Sequence, residues 1–207
     1  DANILVATTL NRHQNNLKLH KVNAVTNLTK LLLEETDKAY IDITDNLTFL
    51  NDNSFIWTSE KDGFNHIYHY TFTGKLINQI TKGNWEVTNY YGYNKDKKTI
   101  YYQSVENGSI NRGVYSIGLN GTKKKLLSNK EGQNSAAFSN NFNYFINTFS
   151  SSEIPPIYSL YSGEGSMLKV IKDNTALKQE LSGYKMSSKE FSTINIHGND
   201  LNMWMLK

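Results

Sequence analysis

One passage is written three times along this chain, and that repetition limits its possible folds more than any other feature. The copies are SFIWTSEKDGFNHIYHYTFTGKLINQIT (54–81), TIYYQSVENGSINRGVYSIGLNGTKKKLLS (99–128) and NYFINTFSSSEIPPIYSLYSGEGSMLKVIK (143–172). Each reads as an aromatic-rich strand, a polar turn, a second strand built around Tyr, a glycine-containing hairpin and a third strand ending in Ile or Leu. The marker tyrosines Tyr68, Tyr115 and Tyr158 are 47 and 43 residues apart, and Ile56, Ile100 and Phe145 are 44 and 45 apart. A period in the forties with several short strands per unit is the signature of β-propeller blades. The expected fold is all-β: a partial β-propeller of about four blades of four-stranded antiparallel sheet, followed by a C-terminal hairpin.

With strands lettered A to D, the second unit predicts A near 47–50, B at 55–59, C at 66–71 and D at 76–81. The third predicts A at 86–93, B at 99–104, C at 113–119 and D at 123–127, and the fourth A at 135–139, B at 144–149, C at 157–161 and D at 167–171. Thr73-Gly74 and Asn120-Gly121 mark the C to D hairpins, where glycine supplies a positive φ. The first unit matches only B, C and D, at 4–9, 17–23 and 29–35. The chain therefore divides into a partial blade (1–36), three blades (37–81, 82–128 and 129–173) and a connector with a hairpin (174–207). Within that last part, 173–181 reads as a short helix or turn, and strands at 191–196 and 201–206 flank a turn at 197–200. A propeller needs at least four blades, each burying its face on a neighbour. The chain is accordingly expected to be a piece of a larger protein.

Composition narrows the functional classes. Aromatics make up 12% of the 207 residues, which suits many short, half-buried strands and argues against disorder. The net charge of +3 is dispersed, and Lys123-Lys124-Lys125 is the one basic triplet. Without interleaved aromatics it reads as a solvated hairpin, so no nucleic-acid partner is expected. The absence of cysteine excludes disulfides and thiolate metal sites. There is no 18-residue apolar run, so no membrane span is expected. The richness in Asn and Lys suggests a bacterial source, and the four Asn-x-Ser/Thr sequons read as a by-product of that bias.

The residues themselves point to a scaffold without an active centre. No Gly-x-Ser-x-Gly elbow or phosphate loop occurs, and Gly163-Glu164-Gly165-Ser166 reads as a hairpin turn. No catalytic residue and no metal or other cofactor is expected in this chain. His66 and His69, three apart on a strand, face opposite ways and read as partly exposed strand residues. Glu34-Glu35 and Asp42 with Asp45 offer carboxylates able to orient an amine, though adjacent strand positions favour surface roles. Trp57, Trp85 and Trp204 read as core or interface anchors.

The stretch Phe55-Ile56-Trp57-Thr58-Ser59-Glu60-Lys61-Asp62-Gly63-Phe64-Asn65-His66-Ile67-Tyr68 resembles the WTSE, DG and HIY stretch of bacterial dipeptidyl peptidase IV-like serine peptidases. Ile80-Thr81-Lys82-Gly83-Asn84-Trp85-Glu86-Val87 resembles that family's junction between blades. Pro156-Ile157-Tyr158-Ser159-Leu160 and the passage 190–206 add to the likeness, which covers nearly the whole chain in order.

The resemblance implies the C-terminal part of a propeller that caps a C-terminal α/β-hydrolase domain, in an enzyme releasing X-Pro or X-Ala dipeptides from peptide N-termini. It implies partners in the peptide's amino end and in that hydrolase domain, homodimerisation in the parent, and a periplasmic, secreted or cell-surface location. The catalytic triad would lie outside this chain, as would the glutamate pair that holds the substrate amine, and Glu34-Glu35 lack that pair's surroundings. The loop Asp37-Lys38-Ala39-Tyr40-Ile41-Asp42-Ile43 lies where animal members present an arginine and an aromatic to the substrate. This chain has no arginine there, and Tyr40 and Asp42 are the expected substrate-facing residues. The alternatives are a non-catalytic propeller binding a protein or glycan, and the propeller of an oligopeptidase or acylaminoacyl peptidase relative.

Overall fold

A computed structural model describes residues 3–207, and they form four successive antiparallel sheets followed by a helix and a separate two-stranded hairpin. The first sheet holds β1 (Ile4–Leu10), β2 (Asn16–Asn23) and β3 (Thr29–Thr36) in simple meander order. The second holds β4 (Thr48–Phe49), β5 (Ser54–Ser59), β6 (His66–Thr71) and β7 (Leu76–Gln79). The third holds β8 (Val87–Asn94), β9 (Thr99–Ser104), β10 (Gly113–Gly118) and β11 (Lys125–Leu126), and the fourth β12 (Gln133–Phe138), β13 (Tyr144–Ser150), β14 (Ile157–Ser162) and β15 (Met167–Lys172). Four-stranded meanders repeated in sequence are propeller blades, so the fold is all-β and a partial propeller.

The strands form where alternation and turn chemistry agree. In the second sheet Phe55 pairs with Tyr70 and Trp57 with Tyr68, putting four aromatics on one face. They join Leu17, Leu19 and Leu32 of the first sheet in a core, with Phe55 and Tyr70 stacked at 5.4 Å. In the third and fourth sheets Tyr101, Val114, Leu127, Phe145 and Tyr161 form a second core. The outer strands are short: β7 has four residues and β11 two, against the longer runs expected at 76–81 and 123–127. Lys123, Lys124 and Lys125 are solvated there, and Lys124 pairs with Glu106. Short, lysine-bearing edges discourage further strand addition.

Each C to D hairpin sits on the outer part of the preceding sheet. Gly74, at φ +87°, packs so closely on β3 that a Cβ would stand 1.8 Å from the Leu32 carbonyl oxygen. Gly121 and Gly165, also at positive φ, lie less tightly, with a Cβ 3.1 Å from Ile80 O and 3.0 Å from Leu127 Cα. At Gly74 only a residue without a side chain, free to take positive φ, fits.

Two compact units arise by contact. One runs to Val87 and includes Lys95–Thr99 and Ile117–Lys123; the other comprises Thr88–Asn94, Ile100–Ser116 and Lys124–Lys207. In the second unit, α1 (Thr175–Ser182) buries none of its residues. The hairpin β16 (Glu190–Ile196) and β17 (Asn199–Met205) turns on two residues and not the four expected, because Ile196 pairs with Asn199. His197 and Gly198 both have positive φ, as a primed two-residue turn requires. Trp204 is 57% exposed on this hairpin beneath the ammonium of Lys189, so it anchors no core among the described residues.

Candidate functional site

A cleft of about 780 Å³ opens in the first unit, between the end of β3, the loop that follows it, and the end of β5 with its turn. Its volume is in the range that takes a small organic ligand or a chain end. The loop after β3 is long and irregular, yet it is tied down. Asp37 N–H donates to Asn15 O at 3.1 Å and Ile41 N–H to Gln14 O at 2.7 Å, while the Asp37 carboxylate accepts from Ala39 N–H at 2.7 Å. Further on, the Thr44 and Thr58 hydroxyls are 3.2 Å apart, and Asn46 Nδ2 donates to the same Thr58 oxygen at 3.1 Å. Ile41 turns inward and packs on the core that holds Trp57 and Tyr70. Its neighbours Tyr40 and Asp42 are exposed, and both line the cleft. The two residues singled out from the sequence thus stand on either side of one partly buried anchor.

The adjacent glutamates of β3 part company, as successive strand positions must. Glu34 is solvated, accepting from Asn16 Nδ2 at 2.8 Å and pairing with Lys18 at 3.3 Å; the Asn16 and Lys18 hydrogen bonds hold its carboxyl below the usual range. Glu35 turns into the cleft wall and accepts from Trp57 Nε1 at 3.1 Å. Burial pushes its carboxyl up, against the opposing pull of Ser59, Trp57 and Lys61. The surface role expected of Glu35 is therefore corrected, because Trp57, 22 residues away, caps it inside the sheet. Glu60, also in the cleft, is raised by burial and then by the like charges of Asp42, Glu86 and Asp37. Asp45, considered with Asp42, does not line the cleft.

The cation lining the cleft is Lys61, whose ammonium donates to Tyr70 Oη at 2.6 Å and lies 4.0 Å from the centroid of the Tyr68 ring. The cleft thus carries a carboxylate-rich rim of Asp37, Asp42 and Glu60 above an aromatic floor of Trp57 and Tyr70. Such a lining suits a group that is cationic at one end and apolar behind.

His66 and His69 lie apart from this cleft, and both are buried where partial exposure was expected. His66 bonds through Nδ1 to Thr81 Oγ1 at 3.1 Å and through Nε2 to Gly83 O at 3.0 Å, with Trp85 edge-on at 4.9 Å. His69 Nε2 is 2.7 Å from Ser54 Oγ, which donates to Asp52, and burial lowers its basicity. These are satisfied core histidines: His66 ties β6 to the segment after β7, and His69 ties it back to the start of β5. Among the described residues no group of three His, Cys, Asp or Glu could hold a metal ion.

Comparison with known proteins bears on what such a cleft serves. Residues 1–156 match the family model described as the dipeptidyl peptidase IV (DPP IV) N-terminal region. The chain belongs to the dipeptidyl peptidase IV family. It is 30% identical over 204 residues to dipeptidyl peptidase 4 of Trichophyton equinum, covering 93% of this chain and 26% of that protein. Over 150 residues it is 35% identical to dipeptidyl peptidase 4 of Sus scrofa, covering 68% of this chain and 19% of that one. The crystal structure of Porphyromonas gingivalis dipeptidyl peptidase 4 superposes with a TM-score of 0.92 at 39% identity, over all of this chain and 30% of that one. The chain thus spans under a third of these dipeptidyl peptidase IV relatives, within their N-terminal region, and its four sheets are part of the propeller that family shares.

Proposed function

We propose that this chain is the propeller part of a serine exopeptidase that releases X-Pro or X-Ala dipeptides, and that its cleft receives the amino end of the incoming peptide. The observation that carries this reading is the cleft itself, with Tyr40 and Asp42 displayed on an anchored loop and Glu60 facing the like charges of Asp42 and Asp37. A protonated chain end approaching that rim relieves like-charge repulsion, and the tyrosine ring offers an apolar surface to the residue behind it. Acyl transfer would be carried out by a serine with histidine as base on an α/β-hydrolase domain outside this chain. The propeller contributes access and orientation: a walled cleft admits a loose chain end and excludes folded protein. Homodimerisation and a periplasmic or cell-surface location accompany this reading and rest on the family alone. No helix among the described residues is long and apolar enough to cross a membrane.

The test uses the full-length gene product with Ala-Pro-p-nitroanilide. Asp42→Asn removes a partly screened attraction, so KM should rise by roughly two- to fivefold with kcat unchanged, and the effect should fade in high salt. Tyr40→Ala should raise KM similarly but without salt dependence. Turnover with unaltered KM in both variants would remove the cleft from the substrate's path, and a gene product with no peptidase activity would favour a non-catalytic propeller that binds a partner.

A further inference from the structure

The floor of the cleft already holds a group of the kind its rim attracts. Although Lys61 is exposed as a residue, its ammonium lies 4.0 Å from the Tyr68 ring centroid and 5.0 Å from that of Tyr70, and donates to Tyr70 Oη at 2.6 Å. Glu35 and Asp62 act on it as counter-charges. The two rings are fixed. Tyr68 is fully buried and paired between Trp57 and Gln79, and Tyr70 is stacked on Phe55 with 14° between the ring planes. An aromatic face, that of Tyr68, beside a phenolic acceptor, that of Tyr70, with carboxylates near enough to act as counter-charges, is recognition chemistry for an alkylammonium group.

We propose that Tyr68, Tyr70 and Glu35 form a binding site for a primary alkylammonium group, kept filled by Lys61, and that this occupancy holds a peptide's amino end at the rim instead of letting it seat unproductively on the floor. The second part rests on the function proposed above. The physical reason is tethering: an ammonium attached to the adjacent strand end faces its site at an effective concentration of about millimolar, which a dilute peptide does not match. The partial burial that favours the ring contact also lowers the basicity of Lys61, with Glu35 and Asp62 opposing that loss. The site and its plug are one chain segment apart, since Lys61 follows β5 and Tyr68 and Tyr70 lie on β6.

The experiment is chemical rescue in the full-length gene product. Lys61→Ala should lower the melting temperature, and n-propylammonium should restore it saturably, whereas n-propanol of the same size should not. Wild type and Lys61→Met, whose sites remain filled, should not respond. Equal responses to amine and alcohol, or no response to either, would overturn the site. If Lys61→Ala does not fold, the wild-type protein decides: the Lys61 ε-methylene protons should resonate upfield of the exposed lysines through ring currents, and a position among them would refute the contact. With Ala-Pro-p-nitroanilide, Lys61→Ala should lower kcat and KM by a common factor of roughly three or more, leaving kcat/KM intact, as unproductive binding requires. Unchanged constants alongside amine rescue would leave the site and discard the plug. Absence of peptidase activity would sink the plug together with the proposed function, while the melting experiment would still decide the site.

Discussion

Two glycine substitutions measure how tightly one sheet is seated on the last. Gly63 and Gly74 both have positive φ, +100° and +87°, and both lie in turns of the second sheet. A Cβ at Gly63 meets nothing within 4 Å, so Gly63→Ala carries only the conformational cost, about 1–2 kcal/mol. A Cβ at Gly74 falls 1.8 Å from the Leu32 carbonyl oxygen, a backbone atom that cannot rotate away. Relief requires the hairpin and β3 to separate by more than an ångström, and overpacking of this kind adds about 1–3 kcal/mol. Gly74→Ala should therefore lose about 2–5 kcal/mol in all. At this chain length one kcal/mol moves Tm by about 2–4 °C, which gives about 4 °C for Gly63→Ala and about 10 °C for Gly74→Ala. Thermal unfolding followed by circular dichroism, with urea midpoints at unchanged slope, checks the pair. If the two variants melt within a degree of one another, the seating of the hairpin on β3 contributes nothing and the reasoning fails.

Thr81 accepts from Ile67 N–H at 2.9 Å and meets His66 Nδ1, so Thr81→Val should cost about 1–3 kcal/mol while Thr81→Ser costs much less, read from urea midpoints. The raised Glu35 carboxyl favours the folded state when protonated, so its contribution is fully present below the unfolded value of 4.5 and is lost as pH rises through the higher folded value. Glu35→Gln, which keeps an acceptor for Trp57, should gain on wild type between pH 4 and pH 7.5; a constant difference across that range would contradict the burial of this group.

Where the sequence is locally self-consistent, its reading survives intact: β6 and β9 occupy 66–71 and 99–104 as expected, because alternating aromatics run up to turn residues on both sides. β7 stops at Gln79, where the Ile80 and Thr81 N–H groups both turn onto Ile67 O, and β11 keeps only Lys125–Leu126, whereas β15, likewise paired on one side only, runs to Lys172. The burial of His66 and His69 was not legible because their partners, Thr81, Gly83 and Ser54, reach them only after the chain has folded back. Glu35 was hidden for the same reason. A carboxylate beside another on a strand reads as surface until Trp57 is placed over it. Tyr40 and Asp42 lie together in the cleft, yet periodicity did not mark them, for they belong to an irregular loop; the family likeness did.

The hairpin glycines make these sheets poor building blocks when taken singly. Because Gly74, Gly121 and Gly165 each press on the strand or segment closing the sheet before, lengthening one of these turns would strain two repeats together. Insertions and deletions among homologues should consequently gather in connections outside these hairpins and outside the anchored cleft loop, and recombination that preserves the fold should exchange neighbouring repeats in pairs.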